Sequence, residues 1–225
     1  NPYSLSHDVV RVIYQDQDGT LWVGTDGGLN EFDRQRGRFT RYFDGASVWS
    51  MHKDRQGTLW IGTGSGIYGM DRDGGRFHFQ NDPGDPHSLG SNIVLSIHQD
   101  HSGELWIGTF GGGLNRFDRE NRRFVQYREK DGLPSDAVYG ILEDAQGFLW
   151  LSTNKGLSRF DPVHETFYNY APNDGLQSNE FNAGASHRSM AGDLFFGGIE
   201  GMNRFRPETV RDARFAPPVA VTGFN

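Results

Sequence analysis

Several stretches of this 225-residue chain carry residue types that elsewhere perform chemistry. Gly108-Thr109-Phe110-Gly111-Gly112-Gly113 has the glycine density of a phosphate cradle. A cradle needs a helix N-terminus behind it to aim backbone N–H groups, and the residues that follow read as a strand. Asp16-Gln17-Asp18-Gly19 and Asp71-Arg72-Asp73-Gly74 resemble the opening of a calcium loop. Neither continues to a third oxygen ligand and the distal Glu that the ion requires, so both are expected to be hairpin turns. No His pair has i, i+4 spacing, no thiolate is available, and no G-x-S-x-G elbow occurs. The carboxylates sit mostly at turn positions, and spacing pairs none of them for acid–base work. No metal site and no cofactor are therefore expected, and the remaining chemistry is recognition by aromatic and planar polar side chains.

The elements that would position such residues form a repeat. Leu21-Trp22-Val23-Gly24-Thr25 recurs as Leu59-Trp60-Ile61-Gly62-Thr63, Leu105-Trp106-Ile107-Gly108-Thr109, Leu149-Trp150-Leu151-Ser152-Thr153 and Leu194-Phe195-Phe196-Gly197-Gly198. The intervals are 38, 46, 44 and 45 residues, the range of four-stranded propeller blades. Before each of the first four Trp segments lies an apolar strand (Val10/Ile13, Val48/Met51, Val94/Ile97, Val138/Ile141). A turn with Asp three residues ahead of Gly follows, at Asp16/Gly19, Asp54/Gly57, Asp100/Gly103 and Asp144/Gly147. There Asp can accept from turn amides and Gly supplies positive φ. A third strand runs to Phe32, Met70, Phe117, Phe160 and Phe205, and a fourth carries Phe39/Tyr42, Phe77/Phe79, Phe124/Tyr127 and Phe167/Tyr170. Alternation has period two throughout. The fold class is all-β, a β-propeller of four-stranded antiparallel blades with five repeats. The blades span about 8–42, 46–80, 92–128, 136–170 and 181–207, and 208–225 is expected to be a linker and the first strand of a following β-sandwich. The repeated Trp residues belong to the core between blades, because a lone four-stranded sheet cannot cover both faces.

Composition narrows the partners. A net charge of −7 argues against a nucleic-acid binder. Arg34, Arg36, Arg38 and Arg41, and again Arg119, Arg122, Arg123 and Arg128, alternate with aromatics and read as the wet face of outer strands. There is no cysteine, and no apolar run approaches the roughly 18 residues of a membrane span. The chain opens on Asn1-Pro2-Tyr3, and Asn1 to Ser6 matches the connector Asp85 to Gly90 at the same distance from the next Trp. Both ends are expected to be cut from a longer protein.

Propeller geometry puts the blade-to-blade connections and the loops between strands two and three on one rim. That gathers Asp8, Arg11, Asp26, Trp49, Asn92, Phe110, Asp136, Tyr139, Asn154, Lys155, Asn179 and Glu180. Trp49 is the one tryptophan outside the repeat slot, with counterparts Arg11, Leu95 and Tyr139, and Phe110 sits among glycines with little to pack on. The candidate ligand-binding residues are Arg11, Trp49, Phe110, Tyr139, Asn154 and Lys155, with no catalytic residue.

The readable consensus, V-x-x-I-x-x-D-x-x-G-x-L-W-x-G-T-x-x-G-L-x-x-F-D, resembles the two-component regulator propeller repeat. Residues 136–161, the connector Asp131-Gly132-Leu133-Pro134-Ser135 and the unit Asn179 to Pro207 carry the likeness, which covers residues 1–207. The segment from Pro217 to Phe224 resembles the opening strand of the β-sandwich that follows such propellers. The resemblance implies a binding module rather than an enzyme: the periplasmic sensor region of a membrane-spanning hybrid histidine kinase or diguanylate cyclase. Its implied ligand is an oligosaccharide or other small molecule, its implied partner a second copy in the full-length protein. Contact with the membrane would come only through segments outside this chain. The family's propellers usually have seven blades, so five repeats are either a five-bladed ring or part of a larger one. Two other functions stay open: a propeller lyase, which would carry a His and Glu near the axis with a divalent ion, and a purely architectural docking propeller.

Overall fold

The computed structural model describes residues 1–210. β1 (Val10–Gln15), β2 (Leu21–Thr25), β3 (Gly28–Asp33) and β4 (Arg38–Tyr42) pair antiparallel in that order as the first sheet. β5 (Val48–Lys53), β6 (Leu59–Thr63), β7 (Gly66–Met70) and β8 (Arg76–Phe79) form the second. β9 (Val94–Gln99), β10 (Leu105–Thr109), β11 (Leu114–Asp118) and β12 (Arg123–Tyr127) form the third. β13 (Val138–Glu143), β14 (Leu149–Thr153), β15 (Gly156–Asp161) and β16 (Thr166–Tyr170) form the fourth. The fifth has three strands among the described residues: β17 (Phe181–Arg188), β18 (Leu194–Gly198) and β19 (Gly201–Phe205). The sheets are the blades of an all-β propeller, with successive first strands β1, β5, β9, β13 and β17 packed side by side. The expected sandwich strand falls in 211–225, outside the described residues.

Each junction between blades holds its own core. Trp22, Leu29, Val48, Met51, Leu59 and Ile61 fill the first, and Trp60, Ile67, Val94, Leu105, Ile107 and Phe117 belong to the second. Trp106, Leu114, Val138, Leu149, Leu151 and Phe160 belong to the third, and Trp150, Leu157, Phe181, Leu194 and Phe196 to the fourth. In every case the repeated Trp comes from one blade and the first-strand residue Val48, Val94, Val138 or Phe181 from the next. Burial of one such aliphatic side chain is worth about 1.5–3 kcal/mol, so blades stabilise one another in pairs. Blade one shows what a missing neighbour does. Ile13, the counterpart of buried Met51 and Ile141, is 65% exposed, because no described blade packs on that face.

Close approach of neighbouring blades explains the glycine of the Trp segment. A Cβ on Gly62 would stand 2.6 Å from Val94 Cγ1 and 2.2 Å from Ser50 Oγ; on Gly108 it would stand 2.8 Å from Val138 Cγ1 and 2.3 Å from Ser96 Oγ. Blade four inverts the arrangement. Ser50 faces Gly62 and Ser96 faces Gly108, whereas Gly140 faces Ser152. Each cross-strand pair holds one Ser and one Gly, leaving room for a single side chain.

The turn Asp locks the Trp. Asp54 Oδ1 accepts from the Thr58 amide at 2.9 Å, and Oδ2 accepts from Trp60 Nε1 at 2.7 Å. Trp106 Nε1 donates to Asp100 at 2.7 Å, Trp150 Nε1 to Asp144 at 2.8 Å and Trp22 Nε1 to Asp16 at 3.3 Å. Blade five changes both partners together. Ser189 replaces the Asp and Phe195, which has no N–H, replaces the Trp, while the turn itself persists through Gly192 N donating to Ser189 O at 3.0 Å. Connectors show the same reciprocity. Ser6, Gly90 and Gln177 donate their amides to Asn30, Asn115 and Asn203 at 2.8, 2.8 and 3.0 Å. Where the connector presents Pro134, which has no N–H, the Asn becomes Ser158.

Removal of Asp54 orphans a buried indole N–H and releases Arg119, whose Nη2 donates to the same carboxylate at 2.9 Å. Asp54→Ala is expected to lower unfolding stability by roughly 2–4 kcal/mol and Ser189→Ala by less than about 1 kcal/mol in urea titrations. Equal losses would show that the Asp–indole bond is not what the turn contributes.

Candidate functional site

A β-bulge breaks the pairing of each first strand at one level. The β5–β6 register shifts between Val48 and Ser50, and β13–β14 shifts between Val138 and Gly140. β1–β2 shifts between Val10 and Val12, while β9 skips from Val94 to Ser96 opposite adjacent residues of β10. The extra residues are Arg11, Trp49, Leu95 and Tyr139. A bulge takes its residue out of the ladder and re-aims the side chain. In β17 the excursion is larger: Phe181 faces Gly198 and the next pair is Ser186 with Phe196, so 182–185 leave the ladder. Beside each bulge stands the residue after the repeated Thr or its counterpart. Asp26, Gly64, Phe110 and Ile199 donate their amides to the carbonyls of Val9, Ser47, Ile93 and Glu180 at 2.9–3.3 Å. Loop and connector thereby share one rim.

Arg11 and Trp49 are brought together. Arg11 Nε and Nη2 donate to Asp26 Oδ1 and Oδ2 at 2.8 and 2.9 Å, and the guanidinium carbon lies 4.4 Å from the Trp49 ring centroid. Arg11 holds the Asp26 carboxyl below the usual carboxylate range, chiefly through that hydrogen bond. Trp49 is half-buried, and its Nε1 is buried without a hydrogen-bond partner.

The other expected residues share the rim but not that cluster. Phe110 is 48% exposed, bridges to Ala137 and neighbours exposed Ile93. Tyr139 is half-buried against the Trp150–Phe181 core, and burial followed by the Glu180 charge pushes its hydroxyl pKa up. Asn154 is exposed at the β14–β15 turn, and Lys155 beside it donates to Glu129 at 3.0 Å, toward the connector between blades three and four. Among the described residues no hydrogen bond, ion pair or ring contact joins Phe110, Tyr139, Asn154 or Lys155 to Arg11 or Trp49.

Spacing did not reveal a second cluster, at the opposite end of the first strands. There the last residue of a strand reaches back to the preceding blade's turn. Lys53 donates to Asp16 at 3.0 Å and to Asp18, and Gln99 accepts from the Arg55 amide at 2.9 Å. Glu143 accepts from the His101 amide at 3.0 Å, pairs with His101 Nδ1, and lies 3.4 Å from His98 Nε2. A His–Glu set thus exists near the axis, but the carboxylate is already engaged by two histidines. No group of three or more His, Cys, Asp or Glu among the described residues is arranged to hold a metal. Burial pushes the Glu143 pKa up, yet the hydrogen bonds from His98 and His101 outweigh it and hold the group at about 2. His52, whose ring lies 6.4 Å from His98, is pushed down to about 4 by burial and then by the His98 charge.

The family pattern of the two-component regulator propeller matches residues 4–27, 42–65, 88–111 and 132–155. These four segments, 96 of the 225 residues, are similar to that family's repeat. A curated relative, Histidine kinase P4 of Formosa agariphila, is 28% identical over 97 residues, which is 43% of this chain and 7% of that protein. Among solved structures, the extracellular domain ascribed to the hybrid two-component system BT3049 of B. thetaiotaomicron superposes with a TM-score of 0.66 at 23% identity. The match covers 92% of this chain and 34% of that one. Virginiamycin B lyase from Staphylococcus aureus gives a TM-score of 0.66 at 14% identity over 88% of this chain and 70% of that one. The two structural likenesses show a shared fold. The chain spans about a third of the sensor ectodomain and a small fraction of the kinase.

The titration of His52 has a definite sign. Its folded pKa lies below the ordinary 6.5, so the unfolded chain protonates first and stability is lost as pH falls from 6.5 toward about 4. Glu143, with its folded value lowered, contributes stability above the ordinary carboxylate range that is lost only as pH falls toward about 2. Replacement of His52 by Leu, the residue that blade four carries there as Leu142, is expected to remove about 2 kcal/mol of the stability change between pH 7 and pH 4.5. Urea titrations at both pH values measure it. An unchanged slope would mean that the imidazole is not buried neutral.

Proposed function

We propose that this chain is the ligand-sensing propeller of an extracytoplasmic sensor region in a transmembrane two-component or diguanylate cyclase signalling protein. The ligand is an oligosaccharide, taken on the rim where the bulges lie. The periplasm is the location, and two copies pair in the full-length protein. One observation carries the reading: core residue types recur from blade to blade with few exceptions, yet the bulge residues Arg11, Trp49, Leu95 and Tyr139 differ blade by blade at one fixed level. Core packing asks for similar residues in every blade. Leu95 is buried, and the differing residues that reach the surface, Arg11, Trp49 and Tyr139, suit an asymmetric ligand. The names of the kinase relative and of the sensor ectodomain support the signalling context.

The fold shared with virginiamycin B lyase keeps an enzymatic alternative in view. Against it, the Glu143 carboxylate is buried and already engaged by His98 and His101.

Screening the chain against an oligosaccharide library by thermal shift is expected to give at least one ligand. Phe110→Ser should weaken its binding at least fivefold with little change in the melting temperature, because only about half of the residue is buried. The ligand should be recovered intact after prolonged incubation with magnesium. Cleavage of the ligand would favour the lyase reading, and silence across the library the docking one.

A further inference from the structure

The corner between blades one and two contains more than a stacked cation. Of the five N–H donors of a guanidinium, Arg11 directs two at Asp26, which fixes the plane over the Trp49 ring. Its Nη1 group has no partner among the described residues. The Asp26 oxygens retain lone pairs, since each accepts one bond from Arg11 and a carboxylate oxygen has about two acceptor sites. Beneath them, Trp49 Nε1 is a buried donor with nothing to donate to. Burying an N–H without a partner is unfavourable by roughly 1–3 kcal/mol, and such groups call for an explanation. Gly64 provides one. A Cβ built there would lie 3.8 Å from Nε1, so the absence of a side chain leaves the indole room to turn and uncover a donor that no water-sized atom reaches as it stands. The rim thus offers, in one corner, a planar donor edge, a planar acceptor edge and an indole N–H that a turn of the ring would uncover.

We infer that this corner is a subsite for a neutral sugar carrying adjacent hydroxyl groups. The inference rests on the oligosaccharide reading above and specifies the chemistry of one position in it. Two neighbouring hydroxyls can accept from Arg11 and donate to Asp26, and once the indole has turned a third sugar oxygen over Gly64 can accept from Trp49 Nε1. An anionic sugar suits the corner poorly. Asp26 already neutralises Arg11, a ligand carboxylate would face the Asp26 charge, and the chain as a whole carries −7. Asp26 acts as a positioning residue for Arg11 as well as an acceptor.

Gly64 allows a test that leaves the fold intact. Its φ lies outside the left-handed region and an added methyl would make only ordinary contact at 3.8 Å, so Gly64→Ala is tolerated while filling the space beside Nε1. Calorimetric titration of the full chain would use neutral trisaccharides (cellotriose, mannotriose and α-1,4-galactotriose) and trigalacturonic acid. At least one neutral trisaccharide is expected to bind. Gly64→Ala and Arg11→Lys should each weaken that binding at least tenfold with an unchanged melting temperature, because an ammonium cannot span two hydroxyls as the fork does. Trigalacturonate should bind no more tightly than galactotriose. Tenfold tighter binding of trigalacturonate, strengthened further by Asp26→Asn, would overturn the neutral-sugar assignment. A neutral trisaccharide whose affinity ignores Gly64→Ala and Arg11→Lys would remove this subsite and leave oligosaccharide sensing standing. Absence of binding by every trisaccharide would defeat both.

Discussion

The hydrogen bond from a Trp indole to the carboxylate of the turn six residues earlier is what the rest of the structure depends on. A four-stranded sheet buries too little of its own surface to fix a large aromatic side chain. The Asp–indole bond fixes it: the carboxylate ties together the turn amides and the ring, so Trp60, Trp106 and Trp150 are presented edge-defined to the next blade. Arginines complete the clamp in places. Arg119 from blade three lies over Trp60 and donates to Asp54, which couples two blades through one carboxylate. In the low dielectric of a blade junction such a charge-assisted bond is stronger than on the surface, and more damaging when one member is lost.

A scaffold anchored this way separates two kinds of position. Residues that meet the next blade are held to narrow choices, as the Ser–Gly exchange between blades three and four shows. Residues lifted out of the ladder by the bulges escape that constraint, because no cross-strand partner limits their size. Arg, Trp, Leu and Tyr therefore occupy one structural level in successive blades, and in blade five the excursion 182–185 stands there. Recognition can vary at the rim while the core stays repetitive. At the other rim, Lys53, Gln99 and Glu143 occupy a single position and reach back to the preceding blade with three different chemistries. That end serves cohesion.

Much of this was legible in the sequence. Trp spacing, period-two alternation and the Asp-to-Gly turns define blades because each reports a local requirement of strand or hairpin. The rim position of Trp49 and its counterparts followed from the repeat alignment alone. The Arg11–Asp26 pair did not, since 15 residues separate its members and only the bulge turns Arg11 toward the loop. Nor did the convergence of His98 and His101 on Glu143, which spans two blades and more than forty residues. The Asp–indole bond left a readable trace that single repeats hide: where Asp gives way to Ser189, Trp gives way to Phe195. Tyr139 read as a ligand residue because its type varies, but its half-buried side chain also fills the junction of blades four and five, a contact that no spacing reports.

Proton exchange at the five tryptophan indoles, followed by two-dimensional NMR of the labelled chain, addresses the central claim most directly. The Nε1–H groups of Trp60, Trp106 and Trp150 should exchange only through cooperative opening, with protection factors that agree, whereas Trp49 Nε1–H should exchange faster. Exchange of all five indoles at similar, unprotected rates would contradict the account, for then no carboxylate would hold the rings on which the blades assemble.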